Sequence, residues 1–564
     1  MNPDDIVYTT TNHSESMRQP FVSKELLYVL DSNGGSYSGN QINIDTSAFS
    51  NSSKWVDYSQ AYLAIPYTIG FQSSVDISAA ANNYAFTACL KSGFWQILDS
   101  VQVDFNGTTI IQQTPFINQF ITFKVLSTWS ENDQVKYGTA LGFWKDDATS
   151  FTYAVGATAS GNGVANNRSF GAFNEVTGNA YQGSAYNNGM LQRLQALGYT
   201  STGSVFSSFN NTPALTGQAN YSVIPNGGGA NQIYYYSLVA KIRLKDISNF
   251  FEEAPLLRGA FMRFQINFNS AAFVISVATG ATTMAITSTA NLSVSGRTNP
   301  IMVSSGAVDN PLFETIATLA ANAAGGTLSF SSTVGQLSFA GVNLSNNILS
   351  NGVRLYAPVY TMKPEYEQEY LTLHPTKTIE YYDVWGNQQY GTGPGSSFSF
   401  LVSNGLKNMK FLVVVPHLNS VTGNNANVAF SELQSPFSTA PATTAPQAAL
   451  QQFQVMVAGR NVFANQIQYD FDVFLDEVVK TGLNSGYTTG LCSGLLGEAD
   501  WRAGYRYYLV DLSRSSSADE FLPKSLQIQG INGSLKNLDL YVWVAIGKSI
   551  TIDSSTSDIT QSKL

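Results

Sequence analysis

Charge is what this chain of 564 residues has least of. Asp, Glu, Lys and Arg together make up 12% of it, about half the roughly 25% usual in globular domains. A monomer in water normally covers itself with charge. So neutral a chain reads either as one that packs against other chains or as one kept soluble by Asn, Ser, Thr and Gln. The net charge of −9, with no run of Lys or Arg, argues against nucleic acid as the main partner, because phosphate backbones are held by clustered cations. Two cysteines, Cys89 and Cys492, are too few for a disulfide framework and fit a reducing compartment. No stretch approaches the ~18 continuous apolar residues of a membrane span. The opening MNPDDIVYTTTNHSES has neither the basic nor the apolar region of a secretory signal.

Catalytic groups are equally sparse. The three histidines are His13, His374 and His417; none pair at helical or strand spacing, so neither a metal site nor a catalytic histidine is expected. The acidic pairs Glu252–Glu253 and Asp146–Asp147 and the trio Glu365, Glu367 and Glu369 lie adjacent along the chain. Glycosidase carboxylates instead face each other across a cleft of about 5–10 Å. The trio alternates in what reads as an extended segment with one solvated face. Glycine-rich SGNG and PNGGGAN lack the strand–loop–helix setting and the Lys-Ser/Thr of a phosphate cradle, and no GxSxG follows a strand. No catalytic, cofactor-binding or metal-binding residue and no cofactor is expected.

What the chain does contain is a repeat. VQVDFNG at Val101–Gly107 matches FQVMVAG at Phe453–Gly459, aligning Val103 with Val455. YLAIPY around Pro66 matches LVVVPH around Pro416; Trp144 matches Trp501; YYYSLV at Tyr234–Val239 matches YRYYLV at Tyr505–Val510. Four landmarks in one order, about 350 residues apart, imply two copies of a whole domain. The offset drops at the last landmark, so the first copy holds roughly 86 extra residues after Trp144, in Gly-, Asn- and Ser-rich runs that read as an elaborate loop. A second stretch, 269–351, reads as a small β excursion. Trp144/Trp501 and Tyr236/Tyr507 recur at matching places, as core residues of duplicated folds do, although exposed rings of this kind could also line a sugar-binding face.

Short alternating runs between turn formers, such as ELLYVLD, NQINIDTSAF and MKFLVVVPHL, are the signature of strands. Asn106–Gly107 is a hairpin turn. One helix is expected in each copy: the first capped by Thr114 with Pro115 in its first turn and an apolar stripe from Phe116 to Leu126, the second over YDFDVFLDEVVKTG with Asp470 at its start and Gly482 as its stop. Without repeated βαβ units, antiparallel sandwiches are favoured.

The linker LYAPVYTMKPEYEQEYL (Leu355–Leu371), the closing block from GYRYYLVDLS to NLDLYVWVAIG, and the duplication itself resemble double jelly-roll major capsid proteins. The likeness is greatest to those of virophages and Polinton-like viruses, with adenovirus hexon a distant relation. The resemblance implies an all-β chain of two tandem antiparallel eight-stranded jelly rolls with long loop insertions and a few short helices. It implies an N-terminal arm at 1–23, a first roll over 24–365 with insertions near 145–232 and 269–351, a second roll over 366–550 and a C-terminal tail at 551–564. It further implies homotrimers forming pseudo-hexagonal capsomers of an icosahedral shell, penton and minor capsid proteins as partners, an internal membrane or minor proteins between shell and genome, and residence in the virion after assembly in the host cytoplasm or nucleus. A carbohydrate-binding adhesin or receptor-binding tail protein is the alternative for an all-β chain poor in charge. A glycoside hydrolase comes third.

Overall fold

The computed structural model describes residues 20–75, 87–146, 233–279, 297–304, 323–343, 352–419, 429–483 and 494–563, with short gaps inside these ranges and a few isolated positions outside them. The insertion expected at 145–232 falls almost wholly outside the described residues, as do the arm up to residue 19, His13 and Cys492.

The first sandwich is built from β1 (Phe21–Leu30), β2 (Gln41–Asp45), β3 (Tyr62–Ser73), β4 (Leu98–Phe105), β5 (Thr108–Ile111), β6 (Ile233–Arg243) and β7 (Met262–Phe268). Two strands of the second insertion follow, β8 (Ala271–Val277) and β9 (Gly326–Val334), and then β10 (Arg354–Met362). One sheet runs β1–β10–β3–β6 and faces another running β2–β7–β4–β5. Period-two alternation drives the packing. Leu63, Ile65, Tyr67, Ile69 and Phe71 of β3 all point inward and are fully buried against Ile42, Val103 and Phe264 of the facing sheet.

The second sandwich repeats this plan strand for strand. It comprises β11 (Thr376–Thr392), β12 (Ser397–Leu406), β13 (Met409–Leu418), β14 (Leu450–Val457), β15 (Arg460–Asn461), β16 (Tyr508–Asp511), β17 (Lys524–Asn532) and β18 (Leu538–Asp553). Its sheets run β11–β18–β13–β16 and β12–β17–β14–β15. Every pairing is antiparallel, and the eight-strand order of the two sandwiches is identical. This is the jelly-roll order, present twice. The hairpin landmark coincides residue for residue: Asn106 and Gly107 (φ 45° and 83°) and Ala458 and Gly459 (50° and 76°) make the same left-handed turn, the conformation two-residue hairpins require.

The other landmarks fall on matching strands but slip along them. Pro66 points to the outer face of its sheet, beside Val239, whereas Pro416 pairs with Leu540 on the inner face. Leu238 points inward and Leu509 outward. An odd-numbered slip reverses every side chain, so these residue matches are corrected to matches of whole strands. Two further expectations change. Part of the stretch 269–351 is no separate excursion: β9 pairs with β3 and β8 with β9, widening the first sandwich, while Ser338–Phe339 and Val342–Asn343 pair with each other as a small sheet of their own. The tail expected at 551–564 continues the second sandwich, through the end of β18 and β19 (Ile559–Lys563), which pairs with β18.

Helices sit at corresponding breaks. Between β5 and β6 lie α1 (Ile117–Thr128) and α2 (Glu131–Leu141); α3 (Pro364–Leu373) joins the sandwiches; between β15 and β16 lie α4 (Phe471–Lys480) and α5 (Glu498–Gly504). Asp470 caps α4, its side chain accepting from the Phe471 N–H, and Gly482 follows it at φ 72°. Thr114 does not cap α1. Its hydroxyl donates to the Val384 carbonyl of the second sandwich, and Phe116 occupies the cap in a left-handed conformation. The Glu365–Glu369 segment is helical rather than extended, with Pro364 in its first turn.

Two glycines separate conformational cost from steric cost. Gly107 (φ 83°) has open space where a methyl group would sit, whereas a Cβ at Gly142 (φ 62°) would lie 2.4 Å from the Phe94 ring. Gly107→Ala is expected to cost about 1–2 kcal/mol, the left-handed penalty alone, and Gly142→Ala clearly more. Denaturant unfolding of both variants checks this, and equal losses would contradict the packing at Phe94.

Candidate functional site

None of the acidic groups weighed from the sequence forms a catalytic constellation. Glu252 and Glu253 are exposed on a helical turn. Asp146 is fully buried and held by Arg193 at 2.8 Å; Asp147 lies outside the described residues. Glu367 accepts from the Trp55 indole at 2.9 Å and from Arg258 at 2.8 Å, pinning α3 to the first sandwich. Its neighbours Glu365 and Glu369 face solvent. His374 is exposed at the end of α3. Trp501 and Tyr507 are buried as expected, while Trp144 is half-buried. Among the described residues no three His, Cys, Asp or Glu side chains converge as metal ligands. A polar cleft of about 260 Å³ at the β11–β18 edge is lined by Lys410, Lys548, Lys563 and Asn408, with Glu380 its one acid. It offers no pair of facing carboxylates.

The built feature of the molecule is the junction between the sandwiches. Helix α1 lies across the outer face of the β11–β18–β13–β16 sheet, and ten of its residues are buried. A helix buried all round belongs in an interior. The polar residues of α1 that are buried, Asn118, Gln119, Thr122 and Ser127, all have hydrogen-bond partners there. Here one side of α1 packs on its own sandwich, where Thr122 accepts from the Trp95 indole. The other side meets the second sandwich. Phe123 packs on Tyr507 at 4.7 Å and Phe116 edge-on to Tyr541 at 5.1 Å. Ser127 hydrogen-bonds the Tyr507 hydroxyl, and Gln119 lies 3.0 Å from Nε2 of His417. A Cβ at Gly386 of β11 would come within 2.9 Å of the Thr114 methyl, so the absent side chain permits the close approach.

Several charged groups act across this junction. Lys91, fully buried, donates its ammonium to the carbonyls of Ser435 (2.9 Å) and Ala440 across the junction. Lys145 reaches the Leu495 carbonyl at 2.8 Å and the Asp500 carboxylate. Asp383, paired with Lys548 at 2.7 Å, accepts from the Gln112 N–H of the first sandwich; burial raises its pKa while Lys548 opposes the rise. The Tyr505 hydroxyl donates to the Asp146 carbonyl at 2.7 Å. Sequence reasoning singled out Asp146 and, in a strand landmark, Tyr505, but missed these contacts because nothing local marks them: those that cross the junction join residues about 270 or more positions apart. What this arrangement can do is fuse two equivalent sandwiches into one block.

Burial lowers the Lys91 pKa to about 7, with Glu432 and Asp146 pulling it back upward. Folding therefore expels a proton that the unfolded chain retains up to its ordinary pKa near 10.4. The unfolded state binds more protons between these values, so stability rises with pH from about 7 to 10. Thermal melts of the native chain are expected to gain over that range relative to Lys91→Met. A parallel pair of curves would show that Lys91 carries no such penalty.

No family model matches the chain, and no curated protein matches it. Solved structures do. A chain of the Sputnik virophage, solved by cryo-EM, shares 11% identity at a TM-score of 0.52, covering 97% of this chain and 89% of that one. The mavirus major capsid protein shares 10% identity at a TM-score of 0.43, covering 96% and 90%. The Faustovirus major capsid protein shares 9% at 0.39, covering 95% and 91%. At 11% identity the first likeness is one of fold, and it agrees with the strand order described above. The chain thus has the double jelly-roll fold, resembling the virophage protein over nearly its whole length.

Proposed function

We propose that this chain is a viral major capsid protein, which trimerises into pseudo-hexagonal capsomers that tile an icosahedral shell. The observation that carries the reading is the rigid fusion of two equivalent jelly rolls. One chain supplies two like-shaped positions, so three chains supply six, the number that packs hexagonally. A surface only sparsely charged suits burial against identical copies. The chain is then a structural component of the virion, without enzymatic activity. Its partners are further copies of itself, penton and minor capsid proteins, and an internal membrane or minor proteins in place of direct genome contact. On this reading residues 1–23 form an arm, 24–365 and 366–550 the two rolls, and the loops of 145–232 an outward tower.

The sugar-binding alternative draws less support from the tyrosines on the outer face of the β1–β10–β3–β6 sheet. Tyr28 lies under Arg354 at 5.0 Å, Tyr62 under Lys241 at 4.3 Å and Tyr360 under Lys24 at 5.2 Å. Rings capped by cations of the same chain leave little open face on which a sugar could stack.

Light scattering behind size exclusion tests the proposal. At micromolar concentration the expected species has three times the 61.0 kDa chain mass, and electron microscopy of it should show hexagonal outlines. A stable monomer over that range would overturn the reading.

A further inference from the structure

Two strands share one side of β18, end to end. Along its first part the neighbour is β13, as far as Met409 opposite Ile546. Further on β19 takes over, with Lys563 opposite Ser549. Gly547, Lys548 and Ser549 therefore lie where one neighbour has ended and the next begins. On the other side β11 runs on unbroken, with Tyr381 opposite Lys548 and Glu380 opposite Ser549. The polar cleft of about 260 Å³ is this gap in the sheet.

Lysines enter the gap from both sides. Lys410 comes from the start of β13 and Lys563 from the end of β19, both exposed, with Lys548 of β18 between them. Lys548 is buried and held by Asp383 at 2.7 Å. The same carboxylate accepts the Gln112 N–H of the first roll, so the cleft is tied to the junction through one side chain. Asn408 is pinned at the edge of the gap. Its backbone carbonyl accepts from the Gly547 N–H and its amide donates to the Gly547 carbonyl, both at 2.9 Å. Glycine at 547 keeps the space open. A Cβ there would come within 2.5 Å of the Asn408 amide nitrogen and 2.6 Å of Lys410 Cε. The Lys410 stem thus lies across Gly547, a close approach that a side chain would prevent.

Charge decides what class of ligand the gap suits. Three ammonium groups line it against one carboxylate, Glu380. Counting Asp383 with Lys548 still leaves one positive charge in excess, in a chain whose net charge is −9. Further cations stand at the same end of the second sandwich. Lys407 follows Leu406, which pairs with Lys524; Arg460 pairs with Val457, itself opposite Leu526. Lys407 and Arg460 are exposed. Like charges gathered on low-dielectric walls draw in ions of the opposite sign. An ammonium group has three donors and no acceptor, and lysine binds phosphate as a point charge. The volume takes several water-sized groups, more than a halide ion needs.

We propose that this gap binds a phosphate-type oxyanion, either free phosphate or the phosphomonoester headgroup of a lipid, with Lys410 and Lys563 closing on it from two strands and Lys548 between them. The site belongs to the single chain. Its failure would leave the capsid reading untouched, and the converse also holds.

Isothermal titration of the full chain with inorganic phosphate tests the site. The second arm is flotation on phosphatidylcholine vesicles with and without phosphatidic acid. Saturable phosphate binding is expected, weakened at least about tenfold by Lys410→Ala and by Lys563→Ala. Lys407→Ala, outside the cleft, is expected to leave it unchanged. All three lysines are exposed, and melting curves verify that the variants fold. If phosphate does not bind but phosphatidic acid vesicles do, with the same dependence on Lys410 and Lys563, the lipid headgroup is the source. Absence of binding in both arms overturns the site. So does binding that Lys410→Ala and Lys563→Ala leave unchanged, or that Lys407→Ala weakens as much.

Discussion

A jelly roll hides two inner faces and leaves two outer ones exposed. The whole molecule follows from how the outer face of the second roll is covered. Helix α1 does it, and doing so makes α1 a shared interior element, buried towards both rolls, with Phe116 and Phe123 packed on the second and Thr122 hydrogen-bonded to the first. Two sandwiches that could have been beads on a string become one block with a continuous apolar core. Burial of aromatic side chains at about 1.5–3 kcal/mol each far outweighs what the short α3 linker could contribute to holding them together.

Polar contacts add direction to that adhesion. Apolar packing tolerates sliding; Lys91 reaching the Ser435 carbonyl and Asp383 receiving the Gln112 N–H do not. Removing one partner of a buried charged contact typically costs about 3–5 kcal/mol, so any shifted placement of the rolls is strongly disfavoured. In a chain with so little charge, these buried ionic groups help to select one arrangement of the rolls.

The fold was legible in the sequence to the extent that its signals are local. Alternation marked the strands, and the hairpin at Asn106–Gly107 and Ala458–Gly459 aligned without error because turn chemistry ties residue type to backbone angle. The strand landmarks at Pro66/Pro416 and Leu238/Leu509 found the right strands and the wrong registers. In fully buried strands such as β13, apolar residues occupy both faces, so a slip of one leaves the pattern unchanged. Glu365, Glu367 and Glu369 mimic strand alternation, yet Pro364 starts a helix there. The junction itself could not be read, since the partners of Thr114, Lys91 and Tyr507 are chosen by tertiary placement and leave no mark on their neighbours in sequence.

The ribbon of β11 and β18 has a mechanical meaning. At 17 and 16 residues these strands are about three times the usual length, and their far end continues beneath the first roll. There the Tyr381 hydroxyl donates to the Ile110 carbonyl and the Asn106 amide to the Ser557 carbonyl. A strut clamped along its length in one body and at its tip in the other transmits bending load directly. Stress on either half is therefore shared by sheet hydrogen bonds pulled together in shear and does not rest on the connecting segment alone.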